Sequence, residues 1–302
     1  MAAFNLTTSD TSPFILMGIP GLEAAHIWIS IPFSIFYIIG LFGNFMLLFV
    51  VGKEQTLHKP MYLLLSMLAL TDIGTSTSVL PKALSIFWFN LKGITVGGCL
   101  TQMFFLHSVS IIQSAVLVTM AFDRYVAICT PLRYTTILTN ARIVKLGLVG
   151  LIRDVLFMLP LPLLLSRQPF CDNPIIPHTY CEHMAVVKMS CGDTTVNRMY
   201  SLLMAFVVIG LDLILVALSY SLIIRAVLRI SSKKSCRKAL NTCTAHICVM
   251  MTSFTLFFFS TLTHWFGQSI TPHVHIILAN LFFLIPPRDQ PDHLWGQNQR
   301  AS

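Results

Sequence analysis

The chain is 302 residues long, 55% hydrophobic, with 22 phenylalanines and only 11% charged residues, against about 25% charged in soluble globular proteins. That balance excludes an ordinary soluble domain and makes a lipid bilayer the expected solvent. The formal net charge of +8 comes from basic residues gathered in short loops, which gives little support to a nucleic-acid partner.

Crossing a bilayer takes about 20 apolar residues, and the sequence offers six clear stretches and a defective seventh. Ile27 to Val51 holds no charge, Pro60 to Leu80 only Asp72, and Gly97 to Ala121 none. Leu146 to Leu165 is interrupted by Arg153 and Asp154, and Met199 to Ile224 by Asp212. Ala239 to Thr263 is uncharged, and the last stretch, Gly267 to Pro287, stops abruptly. Lipid offers backbone groups no water to bond, so each stretch must be helical. The expected fold is all-α, a single seven-helix membrane domain over residues 1–302. Residues 1–26 form the amino-terminal segment, 27–287 the bundle and 288–302 an aberrant tail. Ile27 to Val51 begins too late, without a basic start or small-residue cleavage site, for a signal peptide.

Basic residues set the orientation. Lys53 and Lys59 follow the first stretch, Arg133 and Arg142 the third, and Arg229, Lys233, Lys234, Arg237 and Lys238 the fifth. These loops are expected in the cytoplasm and the amino terminus outside. There the sequon Asn5-Leu6-Thr7 would be a glycosylation acceptor. The eight cysteines divide accordingly. Cys99 heads the third stretch on the outer side and Cys171, Cys181 and Cys191 crowd one outer loop, while Cys129, Cys236, Cys243 and Cys248 lie toward the cytoplasm. Four outer thiols suit two disulfides, in any of three pairings. A zinc site is the competing reading, disfavoured because no tight C-x-x-C spacing exists.

Charged residues near mid-membrane are costly and so point to function. Asp123-Arg124 closes the third stretch within Met120 to Cys129. Arg153 and Asp154 are adjacent, about 100° apart on a helix, and are not expected to pair across one face. Arg153 reads as structural; Asp154 has no assigned role.

Several strings in order carry a resemblance: Gly43-Asn44, Leu57-His58-Lys59-Pro60-Met61-Tyr62, the Met120 to Cys129 segment, Ser219-Tyr220, and Lys238-Ala239-Leu240-Asn241-Thr242-Cys243. From Phe14 to Pro287 the chain resembles the odorant receptors, seven-helix receptors that couple to G proteins. The long cysteine-bearing loop and Phe170-Cys171 are similar to the class I, or fish-like, group. The resemblance implies a small-molecule odorant as ligand, a stimulatory heterotrimeric G protein and a rise in cAMP, with no cofactor and a plasma-membrane location. It pairs Cys99 with Cys181 and Cys171 with Cys191. Asp123, Arg124, Tyr125 and Tyr220 would serve activation and coupling, and Asn44 and Asp72 an inner polar cluster. His107, Ser108, Ile111, His183, Asp212, Thr261 and Trp265 would line the ligand pocket.

Two departures stand out. Several class I receptors that take carboxylic acids carry arginine in a His-Arg-Phe-Gly string, whereas this chain reads His264-Trp265-Phe266-Gly267, without the bidentate guanidinium clamp. The family's Asn-Pro-Ile-Ile-Tyr ending and basic amphipathic helix are also missing, replaced by Arg288-Asp289-Gln290-Pro291-Asp292-His293-Leu294-Trp295-Gly296. Codons for Arg288 to Arg300 chosen from the degenerate set, read one frame over, give Val-Ile-Asn-Pro-Ile-Ile-Tyr-Gly-Val-Lys-Thr-Lys-Glu. A single C inserted in the run encoding Pro286-Pro287 would produce the shift. A signalling-defective receptor is therefore the second reading. A transporter or channel is the third, weakened by the absence of internal repeats. No G-x-S-x-G, Walker or H-E-x-x-H string supports an enzyme, and no metal site is expected.

Overall fold

The computed structural model describes residues 14–171 and 175–228, with Cys243, Thr244, Ile247, Cys248, Met250, Met251 and Thr255 beyond them. Five helical spans there are long and apolar enough to cross a membrane: Glu23–Lys53, Pro60–Phe89, Val96–Cys129, Asn140–Ser166 and Thr195–Val227. They match the first five expected stretches. Most of the sixth, all of the seventh, Asn5, Thr261, Trp265 and the tail lie outside the described residues.

The main helices are α1 (His26–Lys53), α2 (Pro60–Phe89), α3 (Val96–Cys129), α5 (Asn140–Met158) and α8 (Thr195–Val227), with short helices α4 (Tyr134–Ile137), α6 (Pro160–Ser166) and α7 (His183–Val187) between them. Local chemistry sets their ends. Pro60 opens α2, where its fixed φ costs nothing, and Asn90 closes it in the left-handed conformation at φ 55°. Thr95 caps α3 by accepting from the Gly98 amide at 3.1 Å, and Thr139 caps α5 through the Arg142 amide at 3.3 Å. Pro160, which has no amide hydrogen to donate, separates α5 from α6.

The helices overrun the stretches that hydropathy delimits. At 34 residues, α3 is about 51 Å long, against a hydrocarbon core of about 30 Å. Apolarity marks only the part in lipid, while the helix continues wherever its backbone bonds remain satisfied. α3 touches α2, α5, α6 and α8. Around it lie two apolar cores: one holds Leu80, Ile86, Leu100 and Met103 near the start of α3, the other Leu64, Val116, Met120, Val126 and Ile223 near its end. Outward-facing Ile38, Phe42, Phe45 and Phe49 of α1 are exposed, as a lipid-facing helix requires.

The bundle is not wholly helical. Near the start of α3 a small cap carries a three-stranded sheet in the order β2-β1-β3, made of β1 (Phe14–Leu16), β2 (Gly93–Ile94) and β3 (Ile175–Ile176). β1 pairs antiparallel with β2 and parallel with β3. The chain leaves β1 through Gly18 at φ +82°, where an added Cβ would sit 2.8 Å from the His26 ring. That ring accepts the Ile19 amide at 3.3 Å. Gly18→Ala is therefore expected to cost about 1–3 kcal/mol through backbone strain and displacement of His26. Thermal unfolding of the detergent-solubilised protein would measure the loss, with Gly21→Ala, strained but sterically open, losing less.

Candidate functional site

The cap holds one end of the bundle by covalent and polar ties. Cys99, in the first turn of α3, is bonded to Cys181, with Cα atoms 5.4 Å apart. Cys171 is bonded to Cys191 with Cα atoms 5.2 Å apart. One turn beyond Cys99, Gln102 accepts the Cys181 amide at 3.0 Å and donates to the Ser78 carbonyl at 2.7 Å. The loop is thus held over α2 and α3 by side-chain bonds as well as sulfur.

Beneath this strap, the His107 and His183 rings meet edge-on with centroids 6.4 Å apart. His183 Nε2 lies 2.5 Å from Oδ1 of Asn197 on α8. Asn197 in turn donates from Nδ2 to the Leu161 carbonyl at 3.1 Å. An amide oxygen can only accept, so Nε2 of His183 carries the proton. Ser108 is 4% exposed, and its hydroxyl has no hydrogen-bond partner among the described residues. Half-buried Ile111 lies one turn below His107 on the same face of α3. His107 and His183 thus meet under the strapped loop, with Ser108 next to His107 in the chain and Ile111 one turn further along α3.

Asp212 is not part of that group. Buried on α8, it accepts from the Ser114 hydroxyl at 2.5 Å, and Ser114 lies roughly 10 Å further down α3 than His107. Lipid accounts for the pairing, since a carboxylate there must find a donor. Asp72 behaves alike. Its carboxylate accepts from Gln113 of α3 at 2.7 Å, so the expected Asn44–Asp72 cluster is joined at Asp72 by a residue of α3, and half-buried Asn44 makes no hydrogen bond to it. Gln113 and Ser114 escape sequence reading because a neutral polar residue barely interrupts an apolar stretch.

Arg153 and Asp154 also correct the expectation. They do form an ion pair, Nε to Oδ1 at 2.7 Å. The 100° separation applies to Cα–Cβ directions, whereas the arginine side chain is long enough to wrap back around the turn, and in lipid an unpaired charge would be costlier than the bent rotamer.

At the far end of α3, Arg124 Nη2 lies 3.1 Å from Asp123 Oδ2, and Asp123 is 1% exposed. Tyr134 of α4 donates to the other carboxylate oxygen at 2.8 Å. Burial, followed by the bond to Asp123, pushes the Tyr134 phenol above its ordinary range. Tyr220 of α8 is buried in the neighbouring apolar core, against which Tyr125 packs. Among the described residues no cluster of three or more His, Cys, Asp or Glu side chains could hold a metal.

The olfactory receptor family model matches residues 33–292, nearly the whole bundle. The chain belongs to the olfactory receptor family. Human relatives agree along the length of the receptor. Olfactory receptor 52K2 of Homo sapiens is 49% identical over 96% of this chain and 93% of its own. Olfactory receptor 52P1 is 50% identical over 96% and 91%, and olfactory receptor 52H1 49% over 96% and 93%. The protein is accordingly a multi-pass signalling receptor of the plasma membrane and not an enzyme, which removes the transporter and channel reading.

Proposed function

We propose that the receptor binds a small neutral or weakly polar odorant beneath the disulfide-strapped cap and signals through a stimulatory G protein that raises cAMP. In this reading the cap and amino terminus face outward, and the Asp123–Arg124 end faces the cytoplasm. The observation that carries it is the pairing of a covalently braced, histidine-lined region at one end of α3 with a masked arginine at the other. Arg124 is tied to Asp123, and Asp123 to Tyr134, a resting arrangement that a G-protein segment would have to open. Beside it Leu132 is 97% exposed, an apolar side chain that burial against a partner would stabilise. Sequence reading passes over Leu132, because an isolated leucine in a loop carries no pattern. Surface staining followed by a ligand-panel cAMP assay tests the proposal. Surface protein that responds to no panel member and does not engage a stimulatory G protein would defeat it.

Ligand choice turns on Trp265, which stands where acid-taking relatives have arginine. Apolar and neutral polar odorants are expected to outrank short carboxylic acids. In a chain whose tail has been restored to the family ending, Trp265→Arg is expected to lower the half-maximal concentration of a short carboxylic acid about tenfold, the effect of a charge-assisted pair. An unaltered pocket that already prefers acids, with no change on substitution, would place the anchor elsewhere.

The signalling-defective reading is favoured by the polar sequence from Arg288 onward, which lacks the Asn-Pro-Ile-Ile-Tyr ending. It leaves the outer half of the site unaffected.

A further inference from the structure

The segment between α3 and α5 carries four threonines, Thr130, Thr135, Thr136 and Thr139, and they are not equivalent. Thr130 is half-buried and donates to the Val126 carbonyl at 3.1 Å. Thr139 caps α5, its hydroxyl accepting the Arg142 amide at 3.3 Å. Thr135 and Thr136 are both exposed. Of the four, only Thr136 has a basic residue three places before it, Arg133.

Two arginines flank this hydroxyl. Residues three apart share a face of a helical turn, and the Thr136 hydroxyl donates to the Arg133 carbonyl at 2.8 Å. From the first turn of α5, Arg142 donates through Nη1 to the carbonyls of Thr136 and Ile137 at 2.8 and 3.0 Å. Both arginines are exposed, and neither forms an ion pair with a carboxylate among the described residues. Thr136 thus sits in uncompensated positive charge. The same short helix carries the mask on Arg124: Tyr134 donates to Asp123 at 2.8 Å, and the Tyr134 carbonyl accepts the amide of buried Leu138 at 2.9 Å.

We propose that Thr136 is a phosphorylation site for a protein kinase whose substrate groove takes an arginine three residues before the acceptor, and that its phosphate fastens α4 and the Tyr134–Asp123 contact in the resting arrangement. The γ-phosphoryl group of ATP passes to Thr136 Oγ. A new O–P bond forms, the bridging O–P bond to the departing ADP breaks, and the hydroxyl proton goes to the kinase's own base. The product carries a charge of about −1.5 to −2 and three acceptor oxygens, for which Arg133 and Arg142 are the donors at hand. The neutral bond from the Thr136 hydroxyl to the Arg133 carbonyl is lost. Charge-assisted bonds are roughly twice as strong as neutral ones, so the exchange orders the loop. The proposal rests on the reading that the Asp123–Arg124 end faces the cytoplasm, where ATP and kinases are found.

The test treats the purified full-length chain in detergent with magnesium ATP and the catalytic subunit of an arginine-directed kinase, followed by peptide mapping. Phosphate is expected on Thr136, absent in Thr136→Ala, restored in Thr136→Ser, and formed about tenfold more slowly in Arg133→Ala, the margin of a charge-assisted contact. Hydrogen exchange of the Leu138 amide should slow about tenfold in the phosphorylated chain, and less in Arg142→Ala. Mapping and exchange on the unaltered chain decide the matter even where a variant fails to fold. Phosphate confined to Ser231, Ser232 or Ser235, a rate independent of Arg133, or exchange at Leu138 that is unchanged or faster would overturn the proposal. In cells, labelling of Thr136 by added kinase and ATP should require permeabilisation. Labelling of intact cells would overturn the orientation, and the proposal with it, whereas an unlabelled purified chain would overturn the proposal alone.

Discussion

Cys99→Ser and Cys181→Ser are each expected to bring surface staining close to background. The bridge spans 82 residues. In the chain-entropy description, opening such a loop removes about 4.5 kcal/mol, and opening the 20-residue loop of Cys171–Cys191 about 3.3 kcal/mol. Net stabilities of folded domains are only about 5–15 kcal/mol, so the first loss is a large share of the total. It is also amplified locally, because Gln102 loses a fixed partner when Cys181 moves. Flow cytometry of an amino-terminally tagged receptor should rank Cys99→Ser and Cys181→Ser below Cys171→Ser, and the double variant Cys99→Ser/Cys181→Ser should be no worse than either single. Mass mapping of the unreduced protein should find the Cys99 and Cys181 peptides linked. Surface levels unchanged in the single variants, or a Cys99–Cys191 link, would refute the assignment.

Replacing residues 288–302 with the family ending is expected to raise ligand-evoked cAMP by about tenfold or more over the unaltered chain, at equal surface level. As a helix, the expected last stretch would reach about 31 Å counted from Gly267 and about 21 Å counted from Val274, barely enough or too little for a hydrocarbon core of about 30 Å, and the sequence after Pro287 is polar and includes Pro291. The unaltered chain should therefore bind odorant but transmit the event poorly. The coding DNA tests the origin separately, since codons at 288–300 that cannot give Val-Ile-Asn-Pro-Ile-Ile-Tyr in the neighbouring frame would exclude a shift. A robust cAMP rise from the unaltered chain would exclude the functional consequence whatever its origin.

Legibility in the sequence tracks the strength of each physical signal. An apolar stretch such as Ile27 to Val51 has almost no alternative to a helix in lipid, so the five described spans are foreseeable and only their overruns are not. The cysteine pairing is open on spacing alone and is narrowed by resemblance. The polar partners are harder. Gln113, Ser114 and Asn197 are ordinary residues in apolar surroundings, and only the packing of α3 against α2 and α8 shows that each meets Asp72, Asp212 or His183. Arg153 and Asp154 defeat the expectation because a rule about backbone direction does not bind a side chain long enough to evade it. β1 has three residues, too few for periodicity to register, and its pairing depends on segments far along the chain.

The distance between β1 and its partners also constrains the order of assembly during synthesis. β1 leaves the ribosome before any membrane helix, yet its parallel partner at Ile175 and Ile176 is made roughly 160 residues later, after four spans. One edge of the amino-terminal strand can close on β2 after two spans, but its other edge must wait while the next two are inserted, because contacts so distant in sequence close late. Closing the cap therefore records that the first four spans, the long loop and its register have all been completed. A nascent chain released before residue 176 carries an edge strand with no parallel neighbour, and its exposed backbone groups distinguish it from a finished receptor.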